Sequence, residues 1–474
     1  MSFDVVFIGE TNDGKTTIVS SLMEDEDAVI GPIPGTTKVA HGHRLPDRKG
    51  NLILRAWDTP GFEETDDLHA WFVEKSRATG QGLIDAFIQA HAADPRWDRD
   101  LELLRPISRG ALVVYVAASN RKPQSTDQKQ LEVIRLAGAN RIALINKRPG
   151  KDYSSQWNEV LKREIGIVRT YAPFTAGIDQ RLELLDKLAD CSDESREQIE
   201  TARDILKADW EDRIDQLVRL MMATVFKAVN TRAVSSRDRE SAERKLGDLL
   251  QRHETLFRGE AQKEFKHTHL RFKADFFNAD VTSVEFWKMQ GLGMTRQNAL
   301  LYGTATGAFV GVGIDVMFAG LASGMPTLIG AGVGGLGAIA FAFNPYTSRK
   351  YGKTNYEARV QLKSQTLNVL LDRMIIFSKC LLRVSHGMRL KEAIPLEISG
   401  EKAPGSKRLS TVNSWNSSRI KAWGNLVGKM SRPGASMVYL EEDNSEDFQC
   451  VLEALKESLD SAEEPLPRAL ERLE

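Results

Sequence analysis

Gly9-Glu10-Thr11-Asn12-Asp13-Gly14-Lys15-Thr16 fits the pattern G-x-x-x-x-G-K-[ST] and follows directly on an apolar run at residues 5–8. A strand that ends in a glycine loop and opens into a helix, here residues 17–23, turns successive backbone N–H groups toward one point. The helix dipole favours an anion at the same point. Such a cradle takes a β-phosphate. Lys15 brings positive charge to the β- and γ-phosphates, and the Thr16 hydroxyl is placed to bind a Mg²⁺ that bridges them. Gly9, Asn12, Asp13, Gly14 and Thr17 complete the candidate loop, and the ligand this chemistry fits is a nucleoside triphosphate.

The elements that must position this loop follow from the periodicity around it. Residues 52–57 read as a second buried strand that delivers Asp58-Thr59-Pro60-Gly61 at its C-terminal end, where ligand-binding residues belong in an open α/β sheet. Asp58 is expected to hold Mg²⁺ through water, and the Gly61 N–H to sense the γ-phosphate. Between the two motifs an acidic patch at 24–27 precedes a Pro/Gly-rich run at 31–38, which reads as a loop that closes over a γ-phosphate. Strand patterns at 111–117 and 141–147 flank a helix pattern at 127–137, so the order predicts right-handed β-α-β units and a mostly parallel sheet. The stretch from Gly61 to Ala111 holds helix-like segments at 68–79, 83–92 and 98–104, long for one crossover.

In chain order, Gly9-x4-Gly14-Lys15-Thr16, Gly35-Thr36-Thr37, Asp58-Thr59-Pro60-Gly61, Asn146-Lys147 and Thr175-Ala176 resemble the five boxes of the Era/TrmE-type GTPases, over residues 1 to about 190. The resemblance implies a P-loop G domain that binds GTP with Mg²⁺ and hydrolyses it. It makes Thr37 the switch I ligand of Mg²⁺ beside Thr16 and Asp58, and gives Lys15, Thr37 and Gly61 the catalytic roles. Asn146 and Lys147 would frame the base, with Thr175 next to Ala176, whose N–H would contact the guanine O6. Two departures bear on function. The family's fourth box ends in an Asp that accepts two hydrogen bonds from guanine, whereas this chain reads Asn146-Lys147-Arg148-Pro149, with Asp152 further along. Phe62 stands after Gly61 where Ras-like proteins carry the water-positioning Gln, so hydrolysis needs another group. Asn12 occupies the loop position that helps bind K⁺ in potassium-activated members of the group, and a G-domain homodimer is the competing source of catalysis.

With 474 residues and 42% apolar side chains, the chain can form about three cored domains. Three scattered cysteines without C-x-x-C spacing argue against a disulfide framework or a zinc site, and the opening residues show no secretory pattern, so the expected location is cytoplasmic. After the G domain (1–190), residues 191–297 carry amphipathic helical stripes. In residues 298–343 the only charge is Asp315, and small residues recur at four-residue spacing (Gly303, Gly307, Gly311, then Gly330, Gly334, Ala338). That pattern lets two helices approach closely, as a hairpin in a membrane or in a soluble core.

A basic helical region (344–433) holds 17 Lys or Arg against 5 Asp or Glu, and an acidic tail (434–474) holds 3 against 12. The first invites an anionic partner, and the second suits a shield in cis. The fold class expected is α/β for a G domain with a mostly parallel sheet, followed by an all-α C-terminal domain. This layout resembles an uncharacterised bacterial group of Era-like GTPases whose helical C-terminal domain carries a Gly-rich apolar hairpin. Two roles stay open. One is a GTPase attached to an anionic inner membrane, scaffolding or remodelling it in the manner of dynamin-like proteins. The other is an RNA or ribosome-assembly GTPase, although no nucleic-acid-reading motif accompanies the basic charge.

Overall fold

The computed structural model describes residues 3–25, 40–47, 49–76, 82–174, 176–268, 270, 272–273, 346–350, 353–360, 365–387, 394–395, 411–442 and 445–460. Thr37 and its loop, Thr175, the apolar stretch 298–343 and the last residues of the acidic segment lie outside them.

Six strands form one sheet in the order β2-β3-β1-β4-β5-β6: β1 (Phe3–Ile8), β2 (His41–Pro46), β3 (Leu52–Asp58), β4 (Leu112–Ala118), β5 (Arg141–Asn146) and β6 (Val168–Tyr171). Every neighbouring pair is parallel except β2 with β3. β4 is buried along its whole length, as a strand covered by helices on both faces must be. The chain leaves β1 for β3 on one side and returns to β4 on the other. The carboxyl ends of these strands therefore open on one crevice, where a doubly wound sheet binds its ligand. The edge strand β2 carries no period-two signal: His-Gly-His-Arg-Leu-Pro is polar and largely solvent-facing, and only its pairing with β3 makes it a strand.

Around this sheet pack α1 (Lys15–Met23), α2 (Thr65–Ser76), α3 (Leu83–His91), α4 (Asp98–Ser108), α5 (Ser125–Leu136), α6 (Ser154–Glu164) and α7 (Ile178–Ala189). Among the described residues the long β3-to-β4 crossover thus holds three α-helices and a short 3-10 turn at Pro95–Trp97. Phe62, Phe72, Phe87, Trp97 and Leu101 join the apolar layer on one face of the sheet, which anchors the inserted helices to it.

The described residues of the second half are mostly helical, in α8 (Arg196–Asn230), α9 (Arg239–Glu264), α10 (Gln365–Arg383), α11 (Thr411–Ser414), α12 (Ser417–Met430), α13 (Met437–Glu442) and α14 (Glu446–Asp460). Helix α8 serves two cores. Its Ile199, Ala202 and Leu206 belong to the apolar layer under the sheet, while Leu217, Met221 and Val225 belong to the core of the helical half. A small antiparallel sheet, β7 (Arg232–Ser235), β9 (Tyr346–Lys350) and β10 (Lys353–Arg359), is added to the helices in the order β7-β10-β9. The two-residue strands β8 (Phe272–Lys273) and β11 (Ile394–Pro395) pair with each other.

Within the basic region the sequence pattern of residues 355–376 suggests one amphipathic helix, but the described residues there divide between β10 and α10. Tyr356, Ala358 and Val360 repeat with period two and all meet the helical core, the spacing of a strand rather than a helix. In the acidic stretch, Phe448, Val451, Leu455 and Leu459 of α14 are buried in that core, so its charge lies on the outer face of a packed helix. Among the described residues no helix is long and apolar enough to cross a membrane.

Candidate nucleotide-binding site

The loop between β1 and α1 has the shape its glycines require. Gly9 has φ +138° and Gly14 φ +93°, both unsuited to side chains. A methyl group at Gly9 would lie 2.3 Å from the Val116 carbonyl oxygen, and one at Gly14 would lie 2.2 Å from Asn146 Nδ2. Asn12, at the exposed tip, adopts φ +71°, which asparagine tolerates better than most residues. The Lys15 ammonium folds back over the loop and donates to the Gly9 and Glu10 carbonyls, each at 3.0 Å. Burial pulls its pKa down, opposed by Asp58, Asp13 and Glu10. A buried cation already held against the loop is placed to exchange carbonyl oxygens for phosphate oxygens.

Thr16 donates to Asp58 Oδ2 at 2.7 Å, so the hydroxyl and carboxylate expected at a divalent cation lie side by side although they come from different strands' ends. This oxygen pair suits Mg²⁺, and the tight glycine cradle suits phosphate. Gly61 is pressed onto the loop: a methyl there would be 2.9 Å from Thr11 Oγ1 and 3.2 Å from the Thr11 nitrogen. Phe62 turns away into the apolar layer and offers nothing to a water molecule. At the other end Asn146, fully buried, donates to the Asp13 carbonyl at 2.7 Å and ties β5 to the loop. Ala176 is buried close to α7.

Asp13 proves to be a loop-holding residue on its side-chain side. Its carboxylate pairs with Arg121, which also pairs with the fully buried Asp127 of α5 and lies over the Trp157 ring. Burial pushes Asp13 upward against the pull of Arg121. The motif did not reveal Arg121, because a single arginine in the 119–124 loop has no spacing signature.

The segment after Gly61 is held by the inserted helices. Asp100 on α4, fully buried, accepts from the Glu63 and Glu64 backbone nitrogens at 3.3 and 3.2 Å, while Arg96 pairs with Glu64 and Asp67, and Arg99 with Glu63. Burial raises the Asp100 carboxyl to about 6, only partly offset by the two N–H donors. Between the ordinary value of 3.8 and about 6, the folded protein keeps a proton that the unfolded chain has released. Stability therefore falls as pH rises through this window and levels off above it. Relative to Asp100→Asn, the wild type should lose about 2 kcal/mol between about pH 4.5 and about pH 7.5. Urea midpoints of the two proteins across that range check this, and parallel curves would refute it.

The far end of α1 meets the helical half. Glu24, in left-handed conformation at φ +51°, caps α1, and its carboxylate is buried among Arg181 (2.7 Å), Arg213 (2.8 Å) and Lys266 (2.9 Å). Burial alone would raise this carboxyl, yet Arg181, Arg213, Lys266 and His386 outweigh it and hold it well below the usual range. One turn back, Ser20 donates to the His386 carbonyl at 3.0 Å and Ser385 donates to Ser21 at 2.9 Å. A methyl on Gly387 would lie 2.9 Å from both the Thr17 and Pro173 carbonyl oxygens. The helix that begins at the phosphate loop thus ends clasped by residues following α9 and α10.

A glycine cradle, a Thr16–Asp58 pair and an Asn146 staple on this sheet are the marks of a P-loop GTPase domain of Era/TrmE-like type, and residues 4–147 match the family described as "50S ribosome-binding GTPase". The chain belongs to the family of the domain of unknown function DUF3482, matched over residues 158–441. The chain is 29% identical to the tRNA modification GTPase MnmE of Heliobacterium modesticaldum over 146 residues, 31% of this chain and 30% of that one. It is 27% identical to the GTPase Der of Nitrosomonas europaea over 183 residues, 38% of this chain and 33% of that one. The chain therefore spans about a third of the length of these curated relatives. Among solved structures, Era in complex with MgGDPNP and nucleotides 1506–1542 of 16S ribosomal RNA matches 49% of this chain and 71% of its own, at 14% identity and a TM-score of 0.27.

Proposed function

We propose that the chain is a GTP-binding and GTP-hydrolysing switch whose G domain, residues 1–190, drives a helical effector domain. The observation that carries this reading is α1, which starts at the phosphate-binding Lys15 and ends in the Glu24 cluster shared with the helical half. Lys15 and the loop N–H groups bind the phosphates, Thr16, Thr37 and Asp58 hold Mg²⁺, and the Gly61 N–H senses the γ-phosphate. When bound, the ion neutralises charge on the β- and γ-phosphates. Asn146, Lys147, Thr175 and Ala176 frame the guanine. Loss of the γ-phosphate releases the segments around Thr37 and Gly61, the second of which Asp100 and Arg96 restrain.

With Phe62 in place of a water-positioning glutamine, the charge that completes catalysis comes from K⁺ held at Asn12, and a G-domain homodimer is the competing source. Phosphate release from GTP should rise when Na⁺ is exchanged for K⁺, and Asn12→Ala should lose that gain. Equal rates in both salts would leave Asn12 an ordinary loop residue.

The partner we propose for the helical half is an anionic membrane surface, on the strength of the 17 cationic residues in 344–433, of which Arg373 and Lys379 are buried, and the apolar 298–343 stretch. Each Lys or Arg near an anionic leaflet contributes about 1 kcal/mol, weakened by salt. The full chain should float with anionic liposomes at low salt and less at high salt, and a deletion of 298–343 should stay behind. If both stay behind while the full chain retains RNA, the effector is an RNA or ribosome-assembly module instead.

A further inference from the structure

We propose that Arg148 reads the base, so that the chain selects 6-oxopurine nucleoside triphosphates through their O6 and N7 acceptors instead of through the N1–H and 2-amino donors of guanine. This rests on the nucleotide-switch reading above and specifies its substrate class.

Three observations on the loop after β5 carry it. First, the position at which a carboxylate would accept from N1–H and the 2-amino group is Pro149, which has no acceptor in its side chain. Second, the next carboxylate along the chain is engaged: Asp152 Oδ1 accepts from the Ser154 nitrogen at 2.8 Å and Oδ2 from Lys147 Nζ at 2.6 Å. Both bonds lie at the surface, and they tie Asp152 to Lys147 and to the first residue of α6. Third, the Arg148 side chain turns back toward the phosphate loop. Its backbone N–H donates to Ser119 Oγ at 3.0 Å, the Ser119 N–H to the Asn146 carbonyl at 2.9 Å, and the Tyr153 N–H to the Ser119 carbonyl at 2.8 Å, so the loop is pinned at three points. A methyl group at Gly14 would lie 2.8 Å from Arg148 Nη2 as well as 2.2 Å from Asn146 Nδ2. The guanidinium therefore stands beside the base-framing amide, at the mouth of the cradle.

The chemistry follows from what a guanidinium can do. It carries only donors, in a planar fork, and it donates no hydrogen bond to any described residue. Burial lowers its pKa, and the Asp13 carboxylate opposes that in part. An arginine fork matches the O6 and N7 acceptors of a 6-oxopurine bidentately, and it meets a donor at the 6-amino group of adenine. It is blind to the substituent at C2. A carboxylate reader behaves in the opposite way, since it depends on N1–H and the 2-amino group and tolerates loss of N7.

The test is competition by GTP, ITP, XTP, 7-deaza-GTP and ATP against a fluorescent GDP on the full chain, repeated with Arg148→Ala and Asp152→Asn. For the wild type, ITP should bind within about threefold of GTP, while 7-deaza-GTP and ATP should be weaker by about tenfold or more. Arg148→Ala should bring GTP and ATP toward equal affinity, and Asp152→Asn should leave the order unchanged. ITP weaker than GTP by tenfold, with that ratio abolished by Asp152→Asn and untouched by Arg148→Ala, would overturn the proposal in favour of a carboxylate reader. Because the wild-type series needs no substitution, a misfolded variant does not decide the matter. If no nucleotide displaces the probe, the switch reading fails and this proposal falls with it, an outcome distinct from binding with the wrong order.

Discussion

Replacing Lys15 with Ala should lower GTP affinity by about a hundredfold or more while leaving the fold intact. The ammonium donates to two loop carbonyls now, and the same donors would turn to phosphate oxygens when nucleotide arrives. Hydrogen bonds to charged groups contribute about 1.5–3 kcal/mol each, so losing two amounts to roughly 3–6 kcal/mol, or at least two decades in affinity. Fold stability should move little, because removing a cation whose burial already pulls its pKa down relieves a desolvation cost as it breaks two bonds. Titration calorimetry with GTP, alongside a thermal melt, separates the two effects. Wild-type affinity in Lys15→Ala would remove the phosphate cradle from the account.

Glu24→Ala should cost about 3–5 kcal/mol of stability. Its carboxylate is 1% exposed, and Arg181 and Arg213 beside it are 4% and 6% exposed, so its removal strands buried like charges from α7 and α8 against one another. Breaking a buried ion pair by deleting one partner costs about 3–5 kcal/mol; Arg213 would keep its pair with Asp209, while Arg181 would lose its carboxylate partner. Glu24→Gln, which keeps the shape, should lose slightly less. Because the cations hold this carboxyl well below its usual pKa, the stabilisation is present above the ordinary glutamate range and disappears as pH falls through the depressed value. Urea unfolding at neutral pH is the measurement. A loss under about 1 kcal/mol would mean that the cluster is solvated and does not join the two halves.

How far the sequence could be read depended on whether a residue acts through its neighbours in the chain or through distant ones. The phosphate loop, the sheet and its helices are local: Gly9, Gly14, Lys15 and Thr16 adjoin the strand and helix that shape them, and the apolar runs of β1, β3, β4 and β5 announce strands by composition alone. Edge strand β2 has no such run. β10 lay hidden because Tyr356, Ala358 and Val360 precede the strong helical pattern of α10 without a break in polarity. The acidic patch at 24–27 was visible, yet the partners of Glu24 are 157, 189 and 242 positions away, so nothing local distinguished a buried junction from a solvated patch. Asp100 and Arg121 escaped for the same reason. Each looks like an ordinary charge in a helix or loop until the fold sets it against the backbone after Gly61 or the carboxylate of Asp13.

The most direct measurement of nucleotide choice is displacement of fluorescent GDP from the 474-residue wild-type chain by GTP, GDP and ATP in the presence of Mg²⁺. GTP and GDP should displace the probe at comparable low concentrations, and ATP should need about ten times more or fail. Equal displacement by ATP, or no displacement by any of the three, would contradict the proposed GTP switch.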